Sequence, residues 1–315
     1  MMSWEEYWDN LINTKKLQTQ IADMDVIDIE LQGEPQIKTI CQAIYTDYQN
    51  YEKNLEKVKD ELLKIIDTLP GVHLQKSRVK TLESLLIKVI TKRHQHLLDK
   101  DNLYSGLNAD NYKNILTDLI GMRLIINYRG KWSDLHSEII DTFPYVEDLN
   151  RYKPNSFIPH LKSGKGIIAE LPVAYYAYGD NVDVYKQVGI RTQMRDDGYR
   201  SVHYIVSFLH TYIEIQVRTI YDEAWSDCDH LYVYKREENK SHAALKELSR
   251  ILCNLTNSSN DLGEIMRIIY DGERVEEKDG IYSTDETVLL QIKQVFAKIE
   301  NTQAQMEELI KHYKG

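Results

Sequence analysis

The sequence predicts an α/β (α+β) fold: a mixed sheet of about five strands surrounded by helices, with helical extensions at both ends of the chain. Three observations predict it. Residues 201–209 (SVHYIVSFL) and 211–219 (TYIEIQVRT) are two β-rich runs that meet at His210-Thr211 as a hairpin. A further strand-like run at 120–128 is separated from them by helical and turn-rich sequence. Long apolar stripes at three- and four-residue spacing occupy both ends of the chain.

Taken in order, Ile37, Ile40, Cys41, Ile44, Tyr48, Tyr51, Leu55, Val58, Leu62 and Ile65 describe a long amphipathic helix stopped by Pro70-Gly71. Such a stripe needs a partner surface. The spacing predicts a second helix over about 76–98, and the turn-rich DNLYSGLNADNY joins it to the strand at 120–128. A helix over about 132–142 follows. Pro144, Pro154, Pro159 and Pro172 then puncture a segment of little periodicity. On the hairpin, Ile213, Ile215 and Val217 share one face, so Glu214, Gln216 and Arg218 share the other, as a solvated strand surface or the floor of a site. Beyond it, Ala244, Leu248, Ile251, Leu255, Leu262, Ile265 and Ile269 mark one long helix. Val288, Ile292, Val295, Ile299, Met306 and Leu309 mark another, opened by Ser283-x-x-Glu286 at capping-box spacing. The chain divides into an N-terminal helical region (1–70), a central domain (71–240) and a C-terminal helical region (241–315), with a homo-oligomer through the terminal helices left open.

At 315 residues and 42% hydrophobic content the chain can bury a sizeable core. No apolar run reaches the roughly 18 residues of a membrane span, and MMSWEEYWDN lacks the basic and apolar regions of a signal peptide. The expected compartment is the cytoplasm, with no membrane partner. Cys41, Cys228 and Cys253 are too widely spaced for a disulfide framework or a zinc site. Residues 71–240 hold 23 Lys and Arg against 22 Asp and Glu, so the net charge of −10 sits in the flanks. That balance suits a core that keeps cations for polyphosphate and argues against an extended nucleic-acid surface. LKSGKGI (161–167) lacks the spacing of a P-loop. His94 and His96, two apart, point about 200° away from each other on a helix and do not share a metal.

Four separated motifs carry the chemistry. RVKTLESLLIK supplies Arg78, Lys80, Ser84 and Lys88; DLIGMRLIINY supplies Asp118, Gly121 and Arg123. GYRSVH supplies Gly198, Tyr199, Arg200, Ser201 and His203; EIQVRT supplies Glu214, Gln216, Arg218 and Thr219. In this order, over about 75–236, they resemble the synthetase domain of the RelA/SpoT family, the (p)ppGpp synthetases that move a pyrophosphate from ATP to the ribose 3′-hydroxyl of GDP or GTP. Trp225, His230, Tyr234 and Lys235 stand where small synthetases of the family carry a Trp, a His and a Tyr-Lys. No His-Asp motif like that of the family's hydrolase domain occurs, so the resemblance is to synthetase-only, small alarmone synthetase-like members. It implies a nucleotidyltransferase-like architecture and a GTP pyrophosphokinase of the stringent response. Asp118 and Tyr199 are 81 positions apart, more than in the compact members, so residues about 145–185 resemble an insertion.

The resemblance also implies roles. Asp118 would be the principal Mg²⁺ ligand and Glu214 a second ligand or the base toward the 3′-hydroxyl, since Mg²⁺ accepts one or two carboxylates and completes its shell with water and phosphate oxygens. Arg78 and Arg123 would embrace the ATP adenine, where a guanidinium stacks favourably, and Lys80 and Lys88 would meet its phosphates, with Ser84 in the same motif. Tyr199 would stack on the acceptor guanine from the turn at Gly198. Arg195 and Arg200 would be further nucleotide contacts, and His203 would orient a phosphate or a loop. Gln216 and Arg218 would organise the Glu214 face, and Trp225, His230 and Tyr234 would be scaffold. The chain reads Met194-Arg195-Asp196-Asp197-Gly198-Tyr199 where compact synthetases read Pro-Lys-x-x-Gly-Tyr. Arg195 keeps the positive charge, while the Asp pair adds negative charge beside the acceptor pocket. The acceptor therefore stays open among GDP, GTP, GMP, an adenine nucleotide and the tRNA 3′ end, the last implying a toxin of the phage-defence kind. A catalytically silent nucleotide sensor is the other alternative, and the intact Asp118 and Glu214 argue against it.

Overall fold

A computed structural model describes residues 3–30, 36–99, 101–145, 166–234, 241–279 and 286–314. Its six strands form one mixed sheet in the order β1-β2-β6-β5-β3-β4. They are β1 (Leu74–Val79), β2 (Ile120–Ile126), β3 (Ile167–Tyr176), β4 (Arg191–Met194), β5 (Ser201–Phe208) and β6 (Thr211–Thr219). β2 runs parallel to β6 and β3 parallel to β4; the other neighbours are antiparallel. The predicted β5–β6 hairpin forms, with its turn one residue earlier than the expected His210-Thr211 junction, since Leu209 leaves the strand. Leu209 and His210 fill a two-residue turn at φ 45° and 60°, the double left-handed geometry that follows the twist of the strands.

The helices are α1 (Trp4–Lys15), α2 (Gln18–Glu30), α3 (Ile37–Ile66), α4 (Leu82–Gln95), α5 (Tyr112–Ile115), α6 (Trp132–Thr142), α7 (Asp183–Gln187), α8 (Ile220–Asp229), α9 (Ser241–Asp279) and α10 (Glu286–Lys314). The α3 stripe finds its partner surface in the main core, where Ile44, Tyr48, Leu55 and Leu62 join Leu85, Leu86, Val89 and Ile90 of α4. Met122, Leu124, Ile213, Ile215, Val217, Val202, Tyr204 and Val206 bring the apolar face of the sheet into the same cluster. The opposite face carries Arg123, Glu214, Gln216 and Arg218 beside a smaller buried cluster of Ala169, Ile205 and Tyr212. No helix among the described residues is long and apolar enough to cross a membrane. All three cysteines are free, Cys41 and Cys253 buried and Cys228 exposed.

Three expectations need correction. The helix expected over 76–98 starts only at Leu82, because Thr81 caps it by accepting from the Ser84 amide, and 74–79 is an edge strand. Arg78 is thus on a strand and Lys80 in the link. The sheet has six strands rather than about five. Within the segment read as an insertion, residues 167–176 form β3, which pairs with both β4 and β5. Register shifts on either side of Glu170, with Pro172 inside the strand, break the alternation that would have revealed it. Pro154, Pro159 and most of LKSGKGI lie outside the described residues, as do Lys235 and Ser283.

The predicted C-terminal helices form, but their stripes divide. Ile251, Cys253 and Ile265 of α9 and Val295 of α10 are buried, while Leu248, Leu255, Leu262 and Ile269 are 36–51% exposed. α9 packs on α8 and α10 and reaches the turn at 129–131 that follows β2. Trp225 Nε1 donates to the Ser249 carbonyl at 3.0 Å, the Arg129 amide to Asn260 Oδ1 at 3.2 Å, and the Gly130 amide to Glu264 Oε2 at 3.2 Å. Ending the chain after residue 240 would bare Trp225 and leave these donors unmet. At about 1.5–3 kcal/mol for one large apolar side chain, a melting temperature lower by about 3–12 °C is expected; thermal unfolding followed by circular dichroism checks this, and an unchanged midpoint refutes it.

Candidate active site

Register builds the polar face. Lys76 lies opposite Arg123 and Arg78 opposite Gly121 across β1–β2; Gly121 then lies opposite Glu214 and Arg123 opposite Gln216 across β2–β6; His203 of β5 lies opposite Gln216. A cleft of about 170 Å³ opens there, lined by Lys76, Arg78, Asp118, Arg123, Glu214 and Gln216 among others. With no side chain at Gly121, the stem and Nε of Arg78 pass over it, 3.9 Å from where a Cβ would stand.

Asp118 sits just before β2. Its Oδ2 accepts from Lys88 Nζ at 2.7 Å and Lys80 Nζ at 3.0 Å. Its Oδ1 is buried and has no hydrogen-bond partner. Burial raises the pKa of this carboxyl, but Lys88 and Lys80 outweigh burial and hold it below its ordinary value. Glu214 follows the same logic. Burial raises it, and the hydrogen bond and charge of His203 bring it below its ordinary value against repulsion from Asp118. Both Glu214 oxygens are held, Oε1 by His203 Nδ1 at 3.2 Å and Oε2 by the Gln216 amide at 2.6 Å. Asp118 Oδ1 and the Glu214 carboxylate are the oxygen donors available to a divalent cation. No cluster of three or more His, Cys, Asp or Glu suited to a metal occurs among the described residues, so further ligands would come from substrate and water.

Tyr199 is joined to this pair. Gly198, at φ 86°, makes the turn, and Asp197 Oδ1 accepts from the Tyr199 amide at 3.0 Å. The phenol oxygen lies 2.8 Å from His203 Nε2 and accepts from Arg218 Nη2 at 2.8 Å. The Arg218 guanidinium lies 5.1 Å from the Tyr199 ring centroid, and Tyr175 meets the rings of Tyr199 and His203 edge-on at 5.8 and 4.7 Å. Glu214, His203, Tyr199 and Arg218 thus form one connected line.

The structure brings together Arg78, Asp118, Arg123, Glu214 and Gln216 in the cleft, Lys80 and Lys88 through Asp118, and Tyr199, His203 and Arg218 through Glu214. Others stand apart. Arg200 is gripped by Asp180 through two bonds of 2.7 and 3.1 Å and also donates to the Gly198 carbonyl. It lines a separate cavity of about 20 Å³, room for about one water. Ser84 is exposed and accepts from Thr81 Oγ1 at the start of α4. Arg195 is paired with Asp197, so that carboxylate neutralises it and caps the turn. Trp225 is buried scaffold, whereas His230 is exposed. Glu214 does not pair with Arg218, because four residues along a strand span about 13 Å. Sequence reasoning missed Lys76, which shares a strand face with Arg78, and Glu170, whose carboxyl burial raises and which Glu214 raises further. It also missed Glu223 and Asp227 of α8, which bind Arg123 at 3.0 and 3.2 Å.

A family model described as the region found in RelA/SpoT proteins matches residues 77–239. Among solved structures, a GTP pyrophosphokinase family protein from Streptococcus pneumoniae is 15% identical, the match covering 83% of this chain and 96% of that one with a TM-score of 0.42. Small alarmone synthetase 1 from Bacillus subtilis, bound to its product pppGpp, is 15% identical over 69% of this chain and 93% of that one, with a TM-score of 0.37. No curated protein matches the chain.

The turn that presents Tyr199 is testable by stability. A Cβ at Gly198 would stand 2.6 Å from Cys253 Sγ, on a backbone at φ 86°. Gly198→Ala should therefore lose at least about 1–2 kcal/mol from the backbone alone. Adding Cys253→Ala should return the steric part of the loss and leave the backbone part. Urea denaturation of the single and double variants reads both, and wild-type stability of Gly198→Ala contradicts the assignment.

Proposed function

The chain belongs to the RelA/SpoT family, and from that premise we propose that it transfers the β,γ-pyrophosphoryl group of ATP to the 3′-hydroxyl of GDP or GTP, releasing AMP and a (p)ppGpp-type alarmone. The observation that carries this reading is the pairing, in one cleft, of two ionised carboxylates with several cations, one carboxylate keeping a buried oxygen without a partner. That oxygen, Asp118 Oδ1, with Glu214, fits Mg²⁺. The ion when bound would neutralise charge on the polyphosphate.

The side chains supply the rest. Lys80 and Lys88, held by Asp118, stand ready to exchange that carboxylate for phosphate oxygens as point charges. Arg78 and Arg123 offer planar guanidinium groups to the adenine. Glu214 lies below its ordinary pKa and is ionised at neutral pH, able to accept the proton of the 3′-hydroxyl as its oxygen bonds to the β-phosphorus and AMP departs. His203 and Gln216 fix the orientation of that carboxylate, and His203 ties it to the tyrosine proposed to stack on the acceptor base.

Labelled ATP incubated with the protein and Mg²⁺, in separate reactions with GDP, GTP, GMP, adenine nucleotides and deacylated tRNA, tests the proposal. AMP release with GDP or GTP is expected. Transfer to tRNA alone would replace the acceptor with the tRNA 3′ end, and no AMP from any acceptor would make the chain a nucleotide sensor.

Asp118→Asn and Glu214→Gln should each stay folded and lower kcat by roughly 10²–10³, the cost of losing one preorganised electrostatic group. Near-normal turnover at saturating Mg²⁺ would remove that residue from the mechanism.

Tyr199→Ala should raise KM for the acceptor more than KM for ATP, by about tenfold or more if stacking contributes roughly 1–3 kcal/mol. Equal increases in both constants would show a structural tyrosine instead.

A further inference from the structure

Glu223, on the buried side of α8, belongs to none of the four motifs. Its side chain is 8% exposed and faces three cations. Oε1 accepts from Lys76 Nζ at 2.8 Å and from Arg123 Nη1 at 3.0 Å, the side of the cleft assigned above to ATP. Oε2 lies 3.3 Å from Arg218 Nη1 but makes no hydrogen bond there. Arg218 Nε is also buried without a hydrogen-bond partner. Two unmet polar atoms therefore belong to side chains already in ion-pair range. Arg218 in turn donates to the Tyr199 phenol at 2.8 Å, and Tyr199 leads through His203 to Glu214.

A buried carboxylate needs its charge compensated. Here the compensation is shared, and two of the three cations, Lys76 and Arg123, stand on the donor side of the cleft, where bound ATP would recruit them. When those two turn to the donor, Arg218 is the cation left to Glu223, and a closer approach would give the unmet Glu223 Oε2 a donor in Arg218 Nη1. Arg218 would then be held more tightly against the tyrosine it contacts.

We propose that Glu223 is a positioning residue that couples the two nucleotide subsites, leaving Lys76 and Arg123 for Arg218 when the donor binds and so ordering Tyr199 for the acceptor base, a role that rests on the pyrophosphoryl-transfer reading above. Asp227 provides an internal comparison. It binds the same Lys76 at 3.0 Å and Arg123 at 3.2 Å, yet forms no ion pair with Arg218 among the described residues.

The test is a pair of calorimetric titrations on the full chain in Mg²⁺ buffer: GDP, and separately GTP, with and without saturating α,β-methylene ATP. In the wild type the analogue should tighten acceptor binding by at least about fivefold, and titrating the analogue with and without acceptor must return the same factor. Glu223→Gln should bring that factor close to one, while Asp227→Asn retains it. A carboxylate that only fastens α8 to the sheet would lower the melting temperature of Glu223→Gln without touching the factor, and that result overturns the proposal. Equal loss of coupling in Asp227→Asn overturns it as well, as does a wild type that binds both nucleotides independently. A wild type that binds neither nucleotide overturns the reading of the site itself and the coupling with it. Should Glu223→Gln fail to fold, Glu223→Asp keeps the charge but is one methylene short of spanning Arg123 and Arg218, and carries the same expectation.

Discussion

The parallel pairing of β2 with β6 is the constraint on which the rest depends. It sets Gly121 opposite Glu214, and so brings the segment that carries Asp118 beside the strand that carries Glu214. Side chains alternate with a period of two, so a slip of one residue would turn Glu214, Gln216 and Arg218 into the core and Ile213, Ile215 and Val217 out of it. Burial on the apolar face thus enforces the register that assembles the polar one. The hairpin turn at Leu209-His210 extends the same register to His203.

Most cations of the site are spoken for by acids. Asp118 holds Lys80 and Lys88, Glu223 and Asp227 hold Lys76 and Arg123, and Asp197 holds Arg195. This is the physical content of the near-neutral balance in residues 71–240. Pairs such as Arg195 with Asp197 are half exposed and contribute little to stability. Asp118 and Glu223 are more deeply placed, at 20% and 8% exposure, where an unpaired charge is costly and where exchange of partners is the natural response to an anionic ligand.

The turn that carries Tyr199 is backed from the C-terminal side. Cys253 of α9 packs against Gly198, Arg200 donates to both Gly198 and Cys253, and Trp225 hydrogen-bonds α9 at Ser249. The helices beyond the family motifs therefore support the very turn in which this chain departs from the compact pattern. Arg200 serves that support rather than the cleft.

Much of this was legible locally. The alternation of 211–219 declared which residues share the polar face, the stripes declared α3, α9 and α10, and four spaced motifs declared the family and the carboxylate pair. Where local pattern failed, the reasons are physical. β1 is an edge strand with polar residues on both faces, and β3 is interrupted by register shifts, so neither shows a hydrophobic period. Glu223 lies 147 positions from Lys76 and 100 from Arg123, and no motif spans such separations. The sequence by itself determined the kinds of groups on the polar face, because a period of two is a property of the strand alone. Only the tertiary structure decided which acid each cation takes, since that depends on how α8 and the edge strand dock against β2, and docking is set by burial summed over the whole core.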